Sequence, residues 1–371
     1  MTVQFLLPKW FDLHVHLRQG SNMVHYVQAQ IEMACAGVLA MPNTLPPTAK
    51  ILQQDDLPYW SLEEYRQMLL DAGADAFEQL IVPLYLTKDT TPNMIEQGAQ
   101  SGLLQACKYY PPHGTTNSDH GRPLANFMEN GVFQAMEEYG IVLCIHGEKH
   151  GLKGPDYFDS EINAERSFYE EDMVKLAVRF PKLKIVAEHM TTKEAVAFVK
   201  KGGNNIAGSI TPQHLLYTVG NLVQGLRYHL YCLPLVKFNA DLEALRQAVT
   251  DPKNTKFFAG TDSAPHTKKA TECGCAAGCF TGGVAPQLYA EAFEEDGCDL
   301  GAPENQEIFK RFLCTNGPNF YGFKPSEKTF MLSKTPDVAK PLKMDNGETV
   351  TPLPVGLERP ELAWSITDIQ S

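Results

Sequence analysis

Residues 10–16 read WFDLHVH, an apolar run that ends in two histidines one residue apart. Similar short apolar runs recur along the chain, and stretches with helix-like periodicity separate them. Eight runs share this pattern: 10–16, 38–41, 80–86, 103–110, 140–146, 184–190, 205–210 and 256–261. Buried parallel strands are continuously apolar rather than alternating, so these runs predict the strands of a parallel sheet.

The order of these runs predicts an α/β fold, specifically a (β/α)8 TIM barrel, because eight strand–helix units within about 250 residues suit that architecture. A doubly wound sheet is the alternative. It usually has a glycine-rich nucleotide turn after its first strand, and the sequence contains neither G-x-G-x-x-G nor G-x-x-x-x-G-K-[ST]. We expect a barrel domain over residues 1–325 and an irregular C-terminal extension over 326–371, rich in Pro, Lys and Thr, packed on the barrel.

Charge and composition narrow the class of protein. The 371 residues carry 32 basic and 44 acidic side chains, a formal net charge of −12. An acidic chain without a basic run predicts no nucleic-acid partner and no anionic membrane surface. The sequence has no apolar run near the ~18 residues of a membrane span and no secretory signal at its start. Nine scattered cysteines, an odd number, indicate reduced thiols and a cytoplasmic location.

His14 and His16 lie two residues apart in the first predicted strand. Alternate residues of a strand point to one face, so both imidazoles converge. Neutral imidazole is a good zinc ligand. Taken alone, such a pair is more often structural than metal-binding.

Other predicted strands also end in residues that can bind a metal ion or carry a charge. Lys108, His146 and His189 close three of the runs, and Asp262 follows the eighth. The carboxyl ends of parallel barrel strands share one face, which holds the active site. A purely structural role, in which the polar residue only caps its strand, is credible for one such residue. It is less credible when five strands all end in this way. Four histidines and an aspartate exceed the three protein ligands of a simple catalytic zinc, which predicts two metal ions ~3.5–4 Å apart.

Lys108 is unexpected among metal ligands, because an ammonium group beside two divalent cations is repelled. Two interpretations stay open. The side chain extends to solvent, or its amine has been converted into an anionic group that bridges the metals.

Taken together, the motifs of residues 10–323 resemble the amidohydrolase superfamily and, within it, the dihydroorotase family of the short bacterial and fungal class. The stretches that carry the resemblance are DLHVHLRQG (12–20), MPNTLPPT (41–48), KYYPPHGTTNSDHG (108–121), IHGE (145–148), EHMTT (188–192), ITPQHL (210–215), HLYCLPLVK (229–237), GTDSAPH (260–266) and CGCAAGCF (273–280).

The resemblance implies two Zn²⁺ ions per chain and the reversible conversion of N-carbamoyl-L-aspartate to L-dihydroorotate, the third step of pyrimidine biosynthesis, by a metal-bridging hydroxide. Asp262 would be the catalytic acid and base. The implied metal ligands are His14, His16 and Asp262 at the first zinc, His146 and His189 at the second, and N6-carboxylated Lys108 as the bridge.

The resemblance also implies a set of substrate contacts and a homodimer. The implied substrate-binding residues are Arg18, Asn43 and His266 for the substrate carboxylate, Leu233 and Ala276 for the ring, and Thr115 and Thr116 on a mobile loop. Ala277 fits the ring-binding position almost as well, because the 273–280 loop has one extra alanine. We expect the loop of residues 113–121 to close over the ligand, since it is rich in Gly, Thr, Asn and Ser.

Three alternatives remain from the residues. A hydantoinase shares the implied metal ligands, although Arg18 and Asn43 favour a substrate with a carboxylate. A barrel retained as a non-catalytic subunit is the second alternative. Cys273, Cys275 and Cys279 could form a structural zinc site with His266, but their spacing is not the usual C-x2-C.

Overall fold

A computed structural model describes residues 2–272 and 274–370. Its β-strands are β1 (Gln4–Pro8), β2 (Trp10–Val15), β3 (Cys35–Ala40), β4 (Thr48–Lys50), β5 (Trp60–Ser61), β6 (Gln79–Ile81), β7 (Leu84–Tyr85), β8 (Ala106–Tyr109), β9 (Val142–His146), β10 (Ile185–Glu188), β11 (Ile206–Ile210), β12 (Phe257–Ala259), β13 (Ala270–Thr271), β14 (Gly274–Cys275), β15 (Thr329–Ser333), β16 (Asp337–Val338), β17 (Leu342–Lys343), β18 (Thr349–Val350), β19 (Glu361–Leu362) and β20 (Ser365–Thr367).

The α-helices are α1 (Met23–Glu32), α2 (Leu62–Asp71), α3 (Pro92–Gln100), α4 (Leu124–Glu129), α5 (Val132–Tyr139), α6 (Ala164–Ser167), α7 (Met173–Arg179), α8 (Lys193–Lys201), α9 (Pro212–Leu216), α10 (Val219–Val223), α11 (Asn239–Val249), α12 (Ala285–Glu295), α13 (Pro303–Lys310) and α14 (Asn316–Tyr321). No helix in the described part of the chain is both long enough and apolar enough to span a membrane.

Parallel strands form the predicted barrel. One sheet has the order β12-β11-β10-β9-β8-β7 and a second has the order β2-β3-β6. Only Val82 and Pro83 separate β6 from β7; a proline has no backbone N–H to donate to a strand ladder, so one barrel strand is divided there. The ring is completed where Val15 forms a parallel bridge with Ser263. The predicted (β/α)8 barrel is confirmed.

Serine and threonine caps fix where several helices begin after the strands. The Ser61 side chain accepts a hydrogen bond from the Glu64 amide at the start of α2. Thr91, Thr192 and Thr211 accept equivalent bonds at the starts of α3, α8 and α9. These oxygens satisfy amides that have no partner within the helix, so the chain turns sharply from strand end to helix.

The barrel interior is packed rather than open. Small and large apolar side chains from the barrel strands fill it, and partly buried aromatic residues around α14 pack against them. The residues of this cluster include Phe11, Leu13, Leu39, Ile81, Ala106, Val142, Val186, Ala207 and Phe258, with Phe320, Tyr321 and Phe323 against them. A larger apolar cluster lies between the strands and the surrounding helices. Polar side chains are therefore concentrated at the carboxyl ends of the strands.

The residues after 325, expected to form an irregular extension, contain short paired strands. Six short strands, β15 to β20, lie after residue 325, and β15 pairs antiparallel with both β1 and β20. Strands β1 and β15 pair because buried apolar residues alternate with more exposed ones in both of them. Phe5 and Leu7 in β1, and Phe330 and Leu332 in β15, all point into the core. The domain boundary at 325/326 stays a prediction.

Candidate active site

The six predicted metal ligands lie at the carboxyl ends of the barrel strands. His14 is in β2 and His16 follows it; Lys108 is in β8, and His146 ends β9. His189 comes directly after β10, and Asp262 comes three residues after β12. All six side chains are buried, with exposed fractions of 7% or less. Charged and imidazole groups are rarely buried together without a partner, so this cluster indicates a functional site.

The backbone is unusual at two of these ligands. His189 and Asp262 have φ values of 40° and 48°, in the left-handed region that non-glycine residues seldom adopt. Neighbouring strands hold both conformations. The Asp262 amide donates to the His14 carbonyl at 2.8 Å, and the His189 amide donates to Ser209 Oγ at 2.9 Å. Such strain is typical of sites where side-chain direction matters more than backbone preference.

The four histidines stand in a row across the barrel mouth. Ring centroids are 5.7 Å apart between His16 and His14, 4.8 Å between His14 and His189, and 4.8 Å between His189 and His146. At one end of the row, Asp262 Oδ1 lies 2.9 Å from His16 Nε2 and 3.4 Å from His14 Nε2. Donor atoms of His14, His16 and Asp262 all lie within 4.8 Å of one another, a separation that suits one metal ion.

Three buried nitrogen atoms of the predicted metal ligands have no hydrogen-bond partner in the described part of the chain. They are His14 Nε2 and His189 Nδ1 in the histidine row, and Lys108 Nζ. Buried polar atoms are nearly always satisfied, so each unpaired one needs an explanation. Imidazole nitrogens and carboxylate oxygens are zinc's preferred ligands beside thiolates. The residues therefore fit a metal centre.

Hydrogen bonds fix the direction of three of the imidazoles. His14 Nδ1 lies 2.8 Å from Glu188 Oε2, His16 Nδ1 lies 2.8 Å from Asn43 Oδ1, and His146 Nε2 lies 2.7 Å from Glu148 Oε2. Holding one ring nitrogen selects the tautomer that leaves the other nitrogen free for a metal.

Glu188 and Glu148 were missed as functional residues by sequence reasoning. Both lie inside the motifs EHMTT and IHGE, directly before His189 and two residues after His146. A buried carboxylate next to a candidate ligand is the signal that could have identified them.

Asp262 carries a negative charge at neutral pH. Burial alone would raise the pKa of this carboxyl, but the hydrogen bond with His16 and the adjacent His14 and His189 rings hold the pKa well below its usual value. Burial lowers the pKa of His16 to about 4, so that ring is neutral and able to bind a metal.

A small pocket lies beside the His16–Asp262 end of the row. Its lining brings five of the seven predicted substrate-binding residues together with two of the predicted metal ligands, His16 and Asp262. The lining residues are His16, Arg18, Asn43, Thr115, Thr116, Leu233, Asp262, Ala264, Ala277 and Gly278. The pocket thus joins a polar end, rich in donors, to a wall of backbone and small side chains.

Arg18 supplies the positive charge of this pocket. Its Nη2 lies 3.1 Å from His266 Nε2, and its Nε donates to the Pro265 carbonyl at 3.3 Å. In the described chain, no carboxylate lies within ion-pair distance of this guanidinium. A planar guanidinium without a protein counter-ion is well suited to bind a carboxylate ligand.

The structure distinguishes the two candidate alanines of the 273–280 loop. Ala277 lines the pocket, and its carbonyl lies 2.8 Å from His266 Nε2. Ala276 does not line it, because its amide and carbonyl are both bonded to Lys269. The pocket lining favours Ala277 over the predicted Ala276, and the ring-binding role of either alanine stays a prediction.

The loop of residues 113–121 lies over the pocket. Asn43 Nδ2 donates to the Thr116 carbonyl at 3.0 Å, and Asn117 Nδ2 donates to the Asn43 carbonyl at 2.9 Å. Thr116 Oγ1 also reaches the Ala277 carbonyl at 3.4 Å. These contacts connect the loop to both sides of the pocket, while its opening and closing stay a prediction.

The cysteine loop gives no second metal centre among the described residues. Cys273 lies outside them, and Cys275 and Cys279 are free thiols. Within the described ranges, the group of potential ligands with suitable spacing is the one formed by His14, His16 and Asp262.

Comparisons with known proteins agree with this geometry. No protein-family model matches the chain. Dihydroorotase from Shewanella amazonensis is 39% identical over 360 residues, which cover 96% of this chain and 97% of that protein. Dihydroorotase from Hahella chejuensis is 42% identical over 330 residues, covering 87% and 88%.

Solved structures give the same result. The crystal structure of Saccharomyces cerevisiae dihydroorotase in complex with 5-fluoroorotic acid superposes with a TM-score of 0.85 at 28% identity, covering 99% of this chain and 100% of that one. Dihydroorotase from Campylobacter jejuni follows at a TM-score of 0.82 and 27% identity, covering 99% and 98%. Dihydropyrimidinase from Brevibacillus agri, at 12% identity and a TM-score of 0.73, shares the fold. With relatives this similar over nearly its whole length, the chain belongs to the dihydroorotase family of enzymes.

Proposed function

We propose that this chain is a zinc-dependent dihydroorotase, which interconverts N-carbamoyl-L-aspartate and L-dihydroorotate in the third step of pyrimidine biosynthesis. One observation carries the proposal. A buried row of metal-type donors, with Asp262 at its end, adjoins a pocket that contains the Arg18 guanidinium, which has no carboxylate counter-ion among the described residues. Family membership and this pairing of metal chemistry with an anion site support the same substrate. The family resemblance further supports a cytoplasmic homodimer.

The residues would hold two zinc ions. His14, His16 and Asp262 would bind the first. His146 and His189 would bind the second. When bound, the metal ions would make hydroxide available near neutral pH and would polarise the carbonyl under attack.

Lys108 would connect the two metal ions. Burial lowers the pKa of its amine, which favours the neutral form despite the nearby Glu188 carboxylate. A neutral amine can add carbon dioxide and lose a proton, which gives an anionic carbamate with two oxygens. Such a group explains why Lys108 Nζ is buried without a hydrogen-bond partner.

Asp262 would move the proton. In hydrolysis, water adds to a ring carbonyl, a ring C–N bond breaks and a second carboxylate forms. The Asp262 carboxylate accepts the proton of the attacking water and gives it to the leaving nitrogen. Ring closure reverses these steps with the same group. Its position at the border of the metal row and the pocket suits both transfers.

Arg18, Asn43 and His266 would bind the substrate carboxylate, and the backbones of Leu233 and Ala277 would bind the ring amides. We expect Arg18→Met to lower kcat/KM for dihydroorotate by about 10- to 100-fold, because a charge-assisted hydrogen bond is lost. Turnover of a neutral hydantoin should change much less. Steady-state kinetics on both substrates, with Arg179→Met on the surface as the control, measure this difference.

This comparison also separates the proposal from a hydantoinase activity. A dihydroorotase prefers the substrate with the carboxylate, and the preference decreases in Arg18→Met. Wild-type protein that favours the neutral ring, or an Arg18→Met protein with unchanged preference, would contradict the assignment.

The loop of residues 113–121 should act as a lid. Removing its hydroxyls by Thr115→Ala together with Thr116→Val is expected to reduce turnover by about tenfold or more, since the lid would no longer bind ligand and exclude water. Metal content should stay at the wild-type level, because neither threonine belongs to the histidine row. Thr335→Ala on the exposed C-terminal extension is a matched control. Wild-type kinetics in the double variant would show that the loop is only a connection.

A further inference from the structure

Lys269 is a buried lysine that no part of the proposed mechanism uses. Its side chain is almost inaccessible, with an exposed fraction of 8%. Nζ donates to three backbone carbonyls, those of Tyr231 at 2.7 Å, Ala276 at 2.6 Å and Gly278 at 2.5 Å. An ammonium group has three N–H donors, so this arrangement uses every one of them.

The three carbonyls belong to the two backbone segments that line the pocket opposite the metal row. Tyr231 lies two residues before Leu233, while Ala276 and Gly278 flank Ala277. Two further backbone bonds complete the connection. The Gly278 amide donates to the Tyr231 carbonyl at 2.9 Å, and the Ala276 amide donates to the Lys269 carbonyl at 2.8 Å. The segments that carry Leu233 and Ala277 are thus joined by the Lys269 ammonium together with one direct backbone hydrogen bond.

The site is unlike an ordinary ion pair. In the described chain, no carboxylate lies within ion-pair distance of Lys269, so backbone dipoles alone stabilise the charge. Losing the ammonium would remove the Lys269 donor from the part-buried Ala276 carbonyl and the buried Gly278 carbonyl, which costs more than the loss of an exposed bond. The Gly278–Tyr231 backbone bond would remain, so the two segments would stay connected but their spacing would be less fixed.

We propose that Lys269 is a positioning residue for ring recognition, which sets the spacing of the Leu233 and Ala277 backbones so that they match the edge of a planar cyclic amide. This inference rests on the proposed function. Lys269 does not contact the ligand; it acts through the two backbone segments. It should therefore influence binding of the ring more than the chemical step.

Lys256 provides a matched control. Its Nζ also donates to three backbone carbonyls, those of Val199 and Gly203 at 3.1 Å and 3.0 Å and that of Gly202. Val199 lies in the last turn of α8, and Gly202 and Gly203 follow that helix. Lys256 directly precedes β12, at the end of the barrel remote from Asp262. A lysine that only stabilises the fold should behave like Lys256.

The experiment compares Lys269→Met, Lys269→Gln and Lys256→Met. We expect Lys269→Met to raise KM for dihydroorotate by about tenfold with a change in kcat of less than about threefold, because ring contacts are made equally in the ground state and the transition state. Lys269→Gln keeps two donors and should lie between Lys269→Met and wild type. Lys256→Met should keep the wild-type KM, even if its melting temperature falls.

Hydrogen exchange gives a readout that does not depend on activity. Peptides that cover residues 228–236 and 274–282 should exchange faster in Lys269→Met and Lys269→Gln, but not in Lys256→Met. Wild-type KM together with wild-type exchange in either Lys269 variant would overturn the inference, as would an equal rise in KM for Lys256→Met. Failure of the wild-type protein to turn over dihydroorotate would instead contradict the proposed function, while faster exchange would still report the positioning role.

Discussion

Lys108→Ala is expected to lose the second metal ion and about a thousandfold or more of the hydrolysis rate, because metal ions stabilise the transition state by several kcal/mol. The proposed bridge is an anion built on the Lys108 amine, and alanine cannot form it. The remaining four imidazoles and one carboxylate would hold the second ion poorly, since a single anionic ligand faces two divalent charges. Metal analysis of the purified variant and its initial rates measure both losses.

The same variant tests whether a carboxylate is what the site lacks. Added short carboxylic acids such as acetate or propionate should restore part of the metal content and activity in Lys108→Ala, because they can enter the vacated space and bridge the ions. Lys256→Ala, which removes a partly buried lysine far from the row, should show neither the loss nor the rescue. Full activity and full metal content in Lys108→Ala would rule out the bridge.

Asp262→Asn should reduce turnover by about 10²- to 10⁴-fold in both directions, the range associated with a general acid and base. The amide keeps the shape of the side chain but cannot accept the proton of water. Because Asp262 is also a proposed metal ligand, metal content must be measured beside the rates. Ligand binding should weaken less than turnover, since the carboxylate-binding side chains and the Leu233 and Ala277 backbones are unchanged.

The two directions should also differ in their response to pH. N-carbamoyl-L-aspartate carries one more ionised carboxylate than dihydroorotate, so ring closure consumes a proton and is favoured at low pH. Hydrolysis should rise with pH as the coupled metal, water and carboxylate site loses its proton, and the apparent pKa belongs to that whole site. Rates in both directions from about pH 5 to pH 10 test this account. Parallel profiles, or near-normal turnover in Asp262→Asn, would contradict it.

The barrel and the location of its site could be predicted because both depend on local patterns. Continuous apolar runs identify buried parallel strands, and the residue that closes each run lies at the carboxyl face. For this reason His146, His189 and Asp262 could be placed at one face without any knowledge of their contacts. Lys108 stood out because a lysine at the end of a buried strand is costly unless it is modified.

Features that depend on long-range contacts could not be predicted. The antiparallel pairing of β1 with β15 joins segments more than 300 residues apart, and no local signal specifies it. The preference for Ala277 over Ala276 follows from the bonds that Lys269 makes within its loop, which a motif cannot show. The hydrogen bond between His14 and Glu188 likewise crosses the barrel from one strand to another.

The decisive measurement is hydrolysis of L-dihydroorotate by the purified protein, together with its zinc content before and after chelation. We expect two zinc ions per chain, loss of turnover when they are removed and its return when zinc is restored. Undiminished hydrolysis by metal-free protein, or no hydrolysis by protein that holds both zinc ions, would contradict it.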